Sequence, residues 1–388
     1  CQHLADLFEN HPSKATTLVS ELVSSGNGLN KVAVVLTFLS ETLNMKKSSS
    51  SLANIGALVK ERVRDPAHAL VSHNLIAIIK VMLRKKIFDL EIKNSSGEPL
   101  LFSCHSVSTM DFLIRKEVDL EAKDLQGLTR LHKACADQEI DIVALLIKKG
   151  AKVSPRDNYQ HTPLGWACSF GTLSIVRLLL ENNAKGKSFG RGSSLYQACG
   201  HSDQRQRLDI VRYLVEVQKQ VIVKGGAMEV DENGVNIFHL ACEKGCVDLV
   251  RYLFLHKAQF SVLDKFGRSA MHFAAKSGSL AVVEFLFQLG LDKSLADENG
   301  KLPVHFACEC GTLGVISYFR DDIRSVARGG KNCLHFAAMH DNLLALKHLV
   351  KSDLIDLNLM DEDGKVPIDY AKSSNVQEFL LSAGGTKK

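Results

Sequence analysis

Aromatic residues, prolines and long apolar runs are all scarce in this 388-residue sequence. Aromatic side chains make up 6% of the chain, and Trp166 is the single tryptophan. Proteins that stack successive bases of single-stranded nucleic acid do so on aromatic rings, so this composition argues against a nucleic-acid partner. No uncharged apolar run approaches the roughly 20 residues that a membrane-spanning helix needs. The sequence therefore predicts no direct insertion into a bilayer.

The sequence also lacks a large excess of charge of one sign. The net charge is +5, and 45% of the residues are hydrophobic, which is typical of an ordered protein. Each short basic run follows an apolar stretch, as at Arg84-Lys85-Lys86, Arg115-Lys116 and Lys148-Lys149. Cations are favoured at helix C-termini, which accounts for these runs. A basic groove for acidic partners is the alternative.

What the sequence does contain is an internal repeat with a period near 33 residues. A large apolar residue is followed by a histidine and a small pair, as in Leu131-His132-Lys133-Ala134-Cys135 and Met271-His272-Phe273-Ala274-Ala275. We call the place of this residue in each repeat the leucine position, whichever residue occupies it. It falls at Ala67, Leu100, Leu131, Leu164, Leu195, Phe238, Met271, Val304, Leu334 and Ile368. A fixed period of this length indicates stacked units, each too small to bury its own apolar face.

One copy of the repeat shows the physical role of each part. Asp157 opens a tight turn. Thr162 can cap the next helix, and Pro163 suits its first turn because the missing N–H is not needed there. Gly171 ends that helix, and the apolar segment 175–180 predicts a second helix.

These features resemble the ankyrin repeat over about residues 62–384. The resemblance implies a turn, two antiparallel helices and a projecting finger in each unit. We therefore expect an all-α repeat solenoid, an ankyrin-repeat array of about ten units with short β-hairpin fingers. The last unit, from Asp361 to Gly385, is expected to form a C-terminal cap that covers the final apolar face.

One irregular interval predicts the domain organisation. Adjacent leucine positions are 30 to 34 residues apart, except for a gap of 43 between Leu195 and Phe238. We predict a first block of repeats at 62–185, an irregular unit with insertions at 186–230, and a second block with its cap at 231–388. Within the irregular unit, we expect a long turn between the two helices at 201–207.

Residues 1–61 precede the repeats and have apolar spacing typical of helices. We expect an N-terminal helical cap on the array, and an independent helical module that docks a partner is the alternative. Because the sequence begins at Cys1 and not at methionine, we expect it to derive from a longer protein.

The ten cysteines indicate a reducing compartment. Six of them occupy the second residue of the small pair: Cys104, Cys135, Cys168, Cys199, Cys242 and Cys308. Equivalent positions of stacked repeats lie roughly 10 Å apart if helices pack at normal spacing. A disulfide needs Cα atoms closer than about 7 Å, so we expect free thiols and a cytoplasmic or nuclear protein.

No catalytic, metal or cofactor site is predicted. The recurring histidines are spread along the stack, and the ankyrin resemblance implies that they bind backbone near the turn. His305, Cys308 and Cys310 lack a fourth ligand and the paired-cysteine spacing of a zinc site. The glycine-rich segment 186–192 lacks the upstream glycine of a phosphate-binding loop. We therefore expect a protein that is not an enzyme.

The resemblance implies that partners bind the concave face, through finger tips and the exposed sides of the first helices. Aromatic and arginine side chains are the usual energetic anchors of interfaces. We predict partner contacts at Tyr159, His161, Phe170, Phe266, Arg268, Lys276, Asn299, Lys301 and Glu309. The predicted function is a scaffold for protein–protein interaction. The alternative is a regulatory or targeting domain of a larger channel or enzyme.

Overall fold

The computed structural model describes residues 65–72, 74, 76, 79–80, 83, 89–185, 193–217, 230–352 and 354–387. The predicted N-terminal cap at 1–61, the finger at 186–192 and the insertion at 218–229 lie outside the described residues. The chain divides into two compact units, of which the first ends at Gly186 and the second begins at Lys187. The predicted four-part division of the chain stays a prediction.

The first unit is built from short helices that pair within each repeat. A helix at Pro66–Ser72 is followed by the pairs Leu100–Ser103 (a 3₁₀ helix) with Val107–Ile114, Arg130–Ala136 with Ile140–Lys148, and Pro163–Phe170 with Leu173–Glu181. Arg130–Ala136 and Pro163–Phe170 each pack on the second helix of their own repeat, and the first helices of neighbouring repeats pack on one another. The apolar faces are thus buried between neighbouring repeats.

The second unit continues the same arrangement. Its pairs are Ser194–Cys199 with Gln204–Arg212, Ile237–Glu243 with Val247–Leu255, Ala270–Ser277 with Leu280–Gln288, Pro303–Cys310 with Leu313–Tyr318, Cys333–Met339 with Leu343–Ser352, and the 3₁₀ helix Pro367–Tyr370 with Ser374–Ser382. No sheet forms among the described residues, so the fold fits the predicted all-α repeat solenoid. None of the helices described is long and apolar enough to cross a bilayer.

Side-chain caps fix where the helices begin. The hydroxyl of Thr162 accepts a hydrogen bond from the backbone N–H of Gly165, and Pro163 occupies the first helical turn. Two residues beyond this helix, Thr172 caps the second helix in the same way. Both caps satisfy N–H groups that have no partner within the helix. The predicted roles of Thr162 and Pro163 are confirmed.

The leucine positions and the small pairs form the core. Leu131, Leu164 and Met271 are buried, as are the small residues Ala134 and Cys135 beside them. The nine described cysteines form no disulfide. Burial raises the pKa values of the thiols at positions 135, 168 and 242, which keeps these groups protonated and unreactive.

The fingers are tight turns without extended strands in the described part of the chain. At Asp157 the backbone N–H donates to the carbonyl of His161, and the N–H of Gln160 donates back to the carbonyl of Asp157. Ladder pairing is limited to the isolated bridges Lys93 to Pro99, Val230 to Asn236 and Val326 to Asn332. The predicted β-hairpins are therefore not confirmed.

The irregular repeat differs from its prediction within residues 193–217. The turn after Cys199 is short, because Asp203 already caps a helix that begins at Gln204. That α-helix runs to Arg212 and continues as a π-helical turn over Tyr213–Val217. The prediction of a turn over residues 201–207 is wrong from Gln204 onward. Instead, the residues Tyr213–Val217 lengthen the second helix at its C-terminal end.

Candidate functional site

In six of the described fingers, the tip is organised by a carboxylate at the start of its turn. Oδ1 of Asp157 accepts the backbone N–H groups of Tyr159 at 2.9 Å and His161 at 2.8 Å. The same two bonds recur at Asp124, Asp231, Asp264, Asp297 and Asp361. The tips therefore have fixed backbones, from which the side chains two and four positions after the aspartate project.

Neighbouring fingers within a unit are joined by backbone hydrogen bonds. The N–H of Asn158 donates to the carbonyl of Gln126 at 3.0 Å, and the N–H of Glu298 donates to the carbonyl of Phe266 at 2.9 Å. This close approach explains the glycine three positions after the start of several turns, as at Gly127, Gly267 and Gly300. A Cβ atom on Gly127 would lie 2.4 Å from Oδ1 of Asn158.

The recurring histidines hold the fold together. Nδ1 of His272 accepts the backbone N–H of Ser269 at 3.0 Å, and its Nε2 lies 3.1 Å from the carbonyl of Lys301 in the next finger. Equivalent pairs of contacts are made by the histidines at positions 132, 239, 305 and 335. A ring that accepts at one nitrogen and donates at the other is neutral. The structural role implied by the ankyrin resemblance is confirmed.

In the first unit, the three predicted partner residues lie in one continuous row. The rings of Tyr159 and His161 are stacked with centroids 6.4 Å apart, and those of Trp166 and Phe170 are 5.6 Å apart. Asp157 joins the two pairs, since its Oδ2 accepts Nε1–H of Trp166 at 3.0 Å and lies 3.5 Å from Nδ1 of His161. We call Tyr159, His161, Trp166 and Phe170 the aromatic row.

The aromatic row crosses a repeat from its finger tip to the end of its first helix. Tyr159 is 71% exposed and Phe170 is 46% exposed, whereas Trp166 is half-buried. Sequence reasoning missed Trp166. The available signal was an aromatic residue with a polar tip nine positions after the turn aspartate. The same signal occurs at Tyr370, whose hydroxyl donates to Oδ2 of Asp361 at 2.5 Å.

In the second unit, Phe266 and Arg268 lie together on one tip. Phe266 is 42% exposed. Arg268 is held by its own chain, since its Nη2 lies 2.6 Å from Oδ2 of Asp264 and its guanidinium lies over Phe266 and Phe273. Its contribution to a partner would come from the exposed part of its guanidinium.

The next finger brings Lys301 and Glu309 into an ion pair. Nζ of Lys301 lies 2.7 Å from Oε1 of Glu309, and Glu309 is buried. Lys276 pairs with Glu243 of the preceding repeat at 2.9 Å. Asn299 is exposed at its tip, and its backbone carbonyl accepts the N–H of the next finger. Asn299 thus has the freest side chain among these predicted contacts.

Sequence reasoning also missed a set of aromatic rings beneath these cations. Phe273, Phe306, Phe336 and Tyr370 all lie two positions after a leucine position. Nζ of Lys301 is 4.4 Å from the ring centre of Phe336, and Nζ of Lys331 is 5.4 Å from that of Tyr370. The periodic spacing of the rings was visible in the sequence, but their cationic partners were not.

The side chains of His305, Cys308 and Cys310 do not form a metal site. Nε2 of His305 bonds the carbonyl of Ser325 at 3.1 Å, Cys308 is buried, and Cys310 is exposed. No group of three or more histidine, cysteine, aspartate or glutamate side chains in the described residues could hold a metal ion. A cleft of about 390 Å³ lies beside the first fingers and is lined by Lys93 and Lys123. Both ammonium groups donate to carbonyls of neighbouring fingers.

Comparison with known families agrees with this geometry. Residues 101–189 match the family model described as ankyrin repeats (3 copies). Residues 238–287 match the family model described as ankyrin repeats (many copies). The first match lies in the first compact unit apart from its last three residues, and the second match lies in the second unit. No curated protein matches the sequence.

Proposed function

Because this chain is an ankyrin-repeat protein, we propose that it is a non-catalytic scaffold for protein–protein interaction. The proposed partner surface consists of the finger tips and the exposed sides of the first helices. In the first unit this surface includes Tyr159, His161 and Phe170. In the second unit it includes Phe266, Arg268, Lys276, Asn299 and Lys301, with Glu309 beneath Lys301 as its buried ion-pair partner.

The observation that carries the proposal is the exposure of large rings on rigid turns. Tyr159 and Phe266 follow their turn aspartates by two positions, and both rings project from backbones fixed by hydrogen bonds. A large side chain on a fixed backbone loses little conformational entropy when it binds. Aromatic and arginine side chains are the residues that most often dominate binding energy.

The use of the polar groups supports a non-catalytic role. A general base needs a converging partner and a substrate within reach. The repeat histidines instead bind backbone groups inside the stack, and Asp157 and Asp264 bind the backbones of their own turns. These groups are committed to holding the fold.

A second candidate function uses the same surface within a larger protein. The chain would then be the regulatory or targeting domain of a channel or enzyme whose functional domain lies in another part of that protein. The reading frame on either side of this sequence decides between the two. For either function we propose a cytoplasmic or nuclear location, supported by the absence of disulfides among the described cysteines.

The proposal is tested by capturing partners from a cell extract with the chain and its variants. Tyr159→Ala and the double variant Phe266→Ala, Arg268→Ala should each reduce capture of the same protein about tenfold or more. The matched controls are Leu255→Ala and Phe287→Ala, which remove exposed apolar side chains from second helices. Unchanged capture by the finger variants, or loss in the controls alone, would place the binding surface elsewhere.

A further inference from the structure

In the second unit, each ring at the position two residues after the leucine position is faced by a cation of the chain. The guanidinium of Arg268 lies 4.8 Å from the ring centre of Phe273. Nζ of Lys301 lies 4.4 Å from the ring centre of Phe336 and also covers Phe306. Lys331 and Lys365 both lie 5.4 Å from that of Tyr370. These cations all occur four positions after the start of a turn.

The aromatic row of the first unit has the rings but lacks the cation. Trp166 stands where the second unit has Phe273, and His161 stands where it has Arg268. Within the described residues, no lysine or arginine lies over the rings of the aromatic row. In the preceding repeat the equivalent position is the uncharged Leu128, and the ammonium of Lys133 in that repeat lies over Phe102 and pairs with Glu98 at 3.1 Å.

The electrostatics of the row favour a positive ligand. The Trp166 indole donates its N–H to the buried carboxylate of Asp157, which pushes electron density into the ring and makes its face more negative. A second carboxylate, that of Asp137, is exposed at the end of the preceding first helix. The adjacent residue, Gln138, donates from its side-chain amide to the carbonyl of Phe170 at 2.8 Å. Asp137 is therefore the chain neighbour of a residue that contacts the end of the row.

We propose that the aromatic row binds a basic side chain, arginine or lysine, presented by a protein partner. This inference rests on the proposed function and names the chemistry that its first-unit surface recognises. The partner's cation takes the place over Trp166 that the chain's own cations take in the second unit. Rings attract a cation through their negative faces, and the attraction grows when water is excluded. Asp137 adds a charge of opposite sign at the rim of the interface.

The geometry disfavours a ligand that would need the indole as a hydrogen-bond donor. Nε1–H of Trp166 is already bonded to Asp157, so it cannot donate to a peptide carbonyl of a partner. What the row presents is ring faces, the imidazole of His161 and a nearby carboxylate. A cation on a flexible stem satisfies these groups without requiring a donor from the protein.

Trp166 makes the test specific, because it is the single tryptophan of the chain. Its indole N–H gives one identifiable NMR signal and one fluorescence emission. The probes are the capped tripeptide glycine-arginine-glycine and the same peptide with citrulline, which keeps the shape of arginine but has no charge. The arginine peptide should shift the Trp166 signal saturably and bind at least about threefold more tightly than the citrulline peptide.

Variants of the full chain complete the test. Tyr159→Ala and Asp137→Asn should each weaken binding of the arginine peptide, whereas Tyr159→Phe should retain it because the ring remains. Phe266→Ala should have no effect, because it removes a ring in the other unit. Equal binding of the two peptides, or no shift at Trp166, would overturn the inference. The proposed function would survive that result if partner capture still depended on Tyr159.

Discussion

Trp166 donates its indole N–H to Oδ2 of Asp157 at 3.0 Å, while Oδ1 of the same carboxylate fixes the backbone of the finger tip. One buried side chain therefore determines both where Tyr159 projects and how the indole ring is oriented. The tip and the first helix of this repeat act as a single rigid surface.

Replacing the Asp157 carboxylate should lower the free energy of unfolding more than replacing that of Asp124, its counterpart in the preceding finger. Asp157→Ala removes two backbone bonds and the indole bond, and should lower the free energy of unfolding by about 2–4 kcal/mol. Asp124→Ala removes only the two backbone bonds and should cost about 1–2 kcal/mol. Urea unfolding measures both values. Equal losses would show that the bond to Trp166 contributes nothing.

The contact between fingers predicts a difference between two glycines with positive φ. Gly127 (φ 78°) lies against Asn158 of the next finger, whereas nothing lies within 4 Å of a Cβ on Gly150 (φ 90°). Gly150→Ala should cost about 1–2 kcal/mol through backbone strain alone. Gly127→Ala should cost at least about 1 kcal/mol more, because Asn158 must move and its hydrogen bond to Gln126 weakens. Similar losses in thermal or urea unfolding would contradict the close contact.

The buried histidines predict loss of stability in mild acid. Burial lowers the pKa values of His132 and His239 to about 4, and lowers those of His272, His305 and His335 as well. In the unfolded chain these groups have pKa values of about 6.5, so below that pH the unfolded state binds protons that the folded state cannot. Their contribution is complete above about pH 6.5 and is lost progressively as the pH falls towards 4.

Unfolding by urea at pH 7 and pH 5 measures this effect. The chain should lose about 1–2 kcal/mol for each of His132 and His239 between the two values. His239→Gln should be less stable than the parent at pH 7 but should lose less on acidification. Equal stability of the parent at pH 7 and pH 5 would contradict the neutral, buried state of these rings.

A buried ion pair in the first unit predicts a non-additive pair of substitutions. Arg130 is buried, bonds the carbonyl of Cys104 at 2.8 Å and pairs with Glu139, while its Nε and Nη1 have no described partner. Glu139→Ala should cost about 3–5 kcal/mol, because it leaves a buried charge unpaired. Adding Arg130→Met should recover much of that loss, since an apolar residue then replaces the charge. Additive losses in urea unfolding would show that the pair is uncoupled.

The sequence was enough to predict the repeat register, the caps at Thr162 and Pro163, and the structural histidines. These features depend on spacing and local chemistry, both of which can be read along the chain. The start of the second helix at Gln204 was not predicted, because polar residues fit either a turn or an exposed helix end.

Side-chain partners were harder to predict than register. Arg268 and Lys301 were predicted to contact a partner because of their residue types. In the structure, both lie over aromatic rings and beside carboxylates of their own unit. Which of several nearby rings a flexible cation covers depends on rotamers and packing. Trp166 was not predicted, because its hydrogen bond to Asp157 joins a helix residue to a turn residue and cannot be seen in the sequence.

Site-specific crosslinking shows directly whether partners bind the finger tips and the exposed sides of the first helices. The photoreactive amino acid p-benzoylphenylalanine is introduced at Tyr159 or Phe266, and for comparison at Leu255 or Phe287 on second helices. We expect a crosslink to the captured partner from at least one finger position and none from the second helices. Crosslinks from Leu255 or Phe287 alone would contradict it.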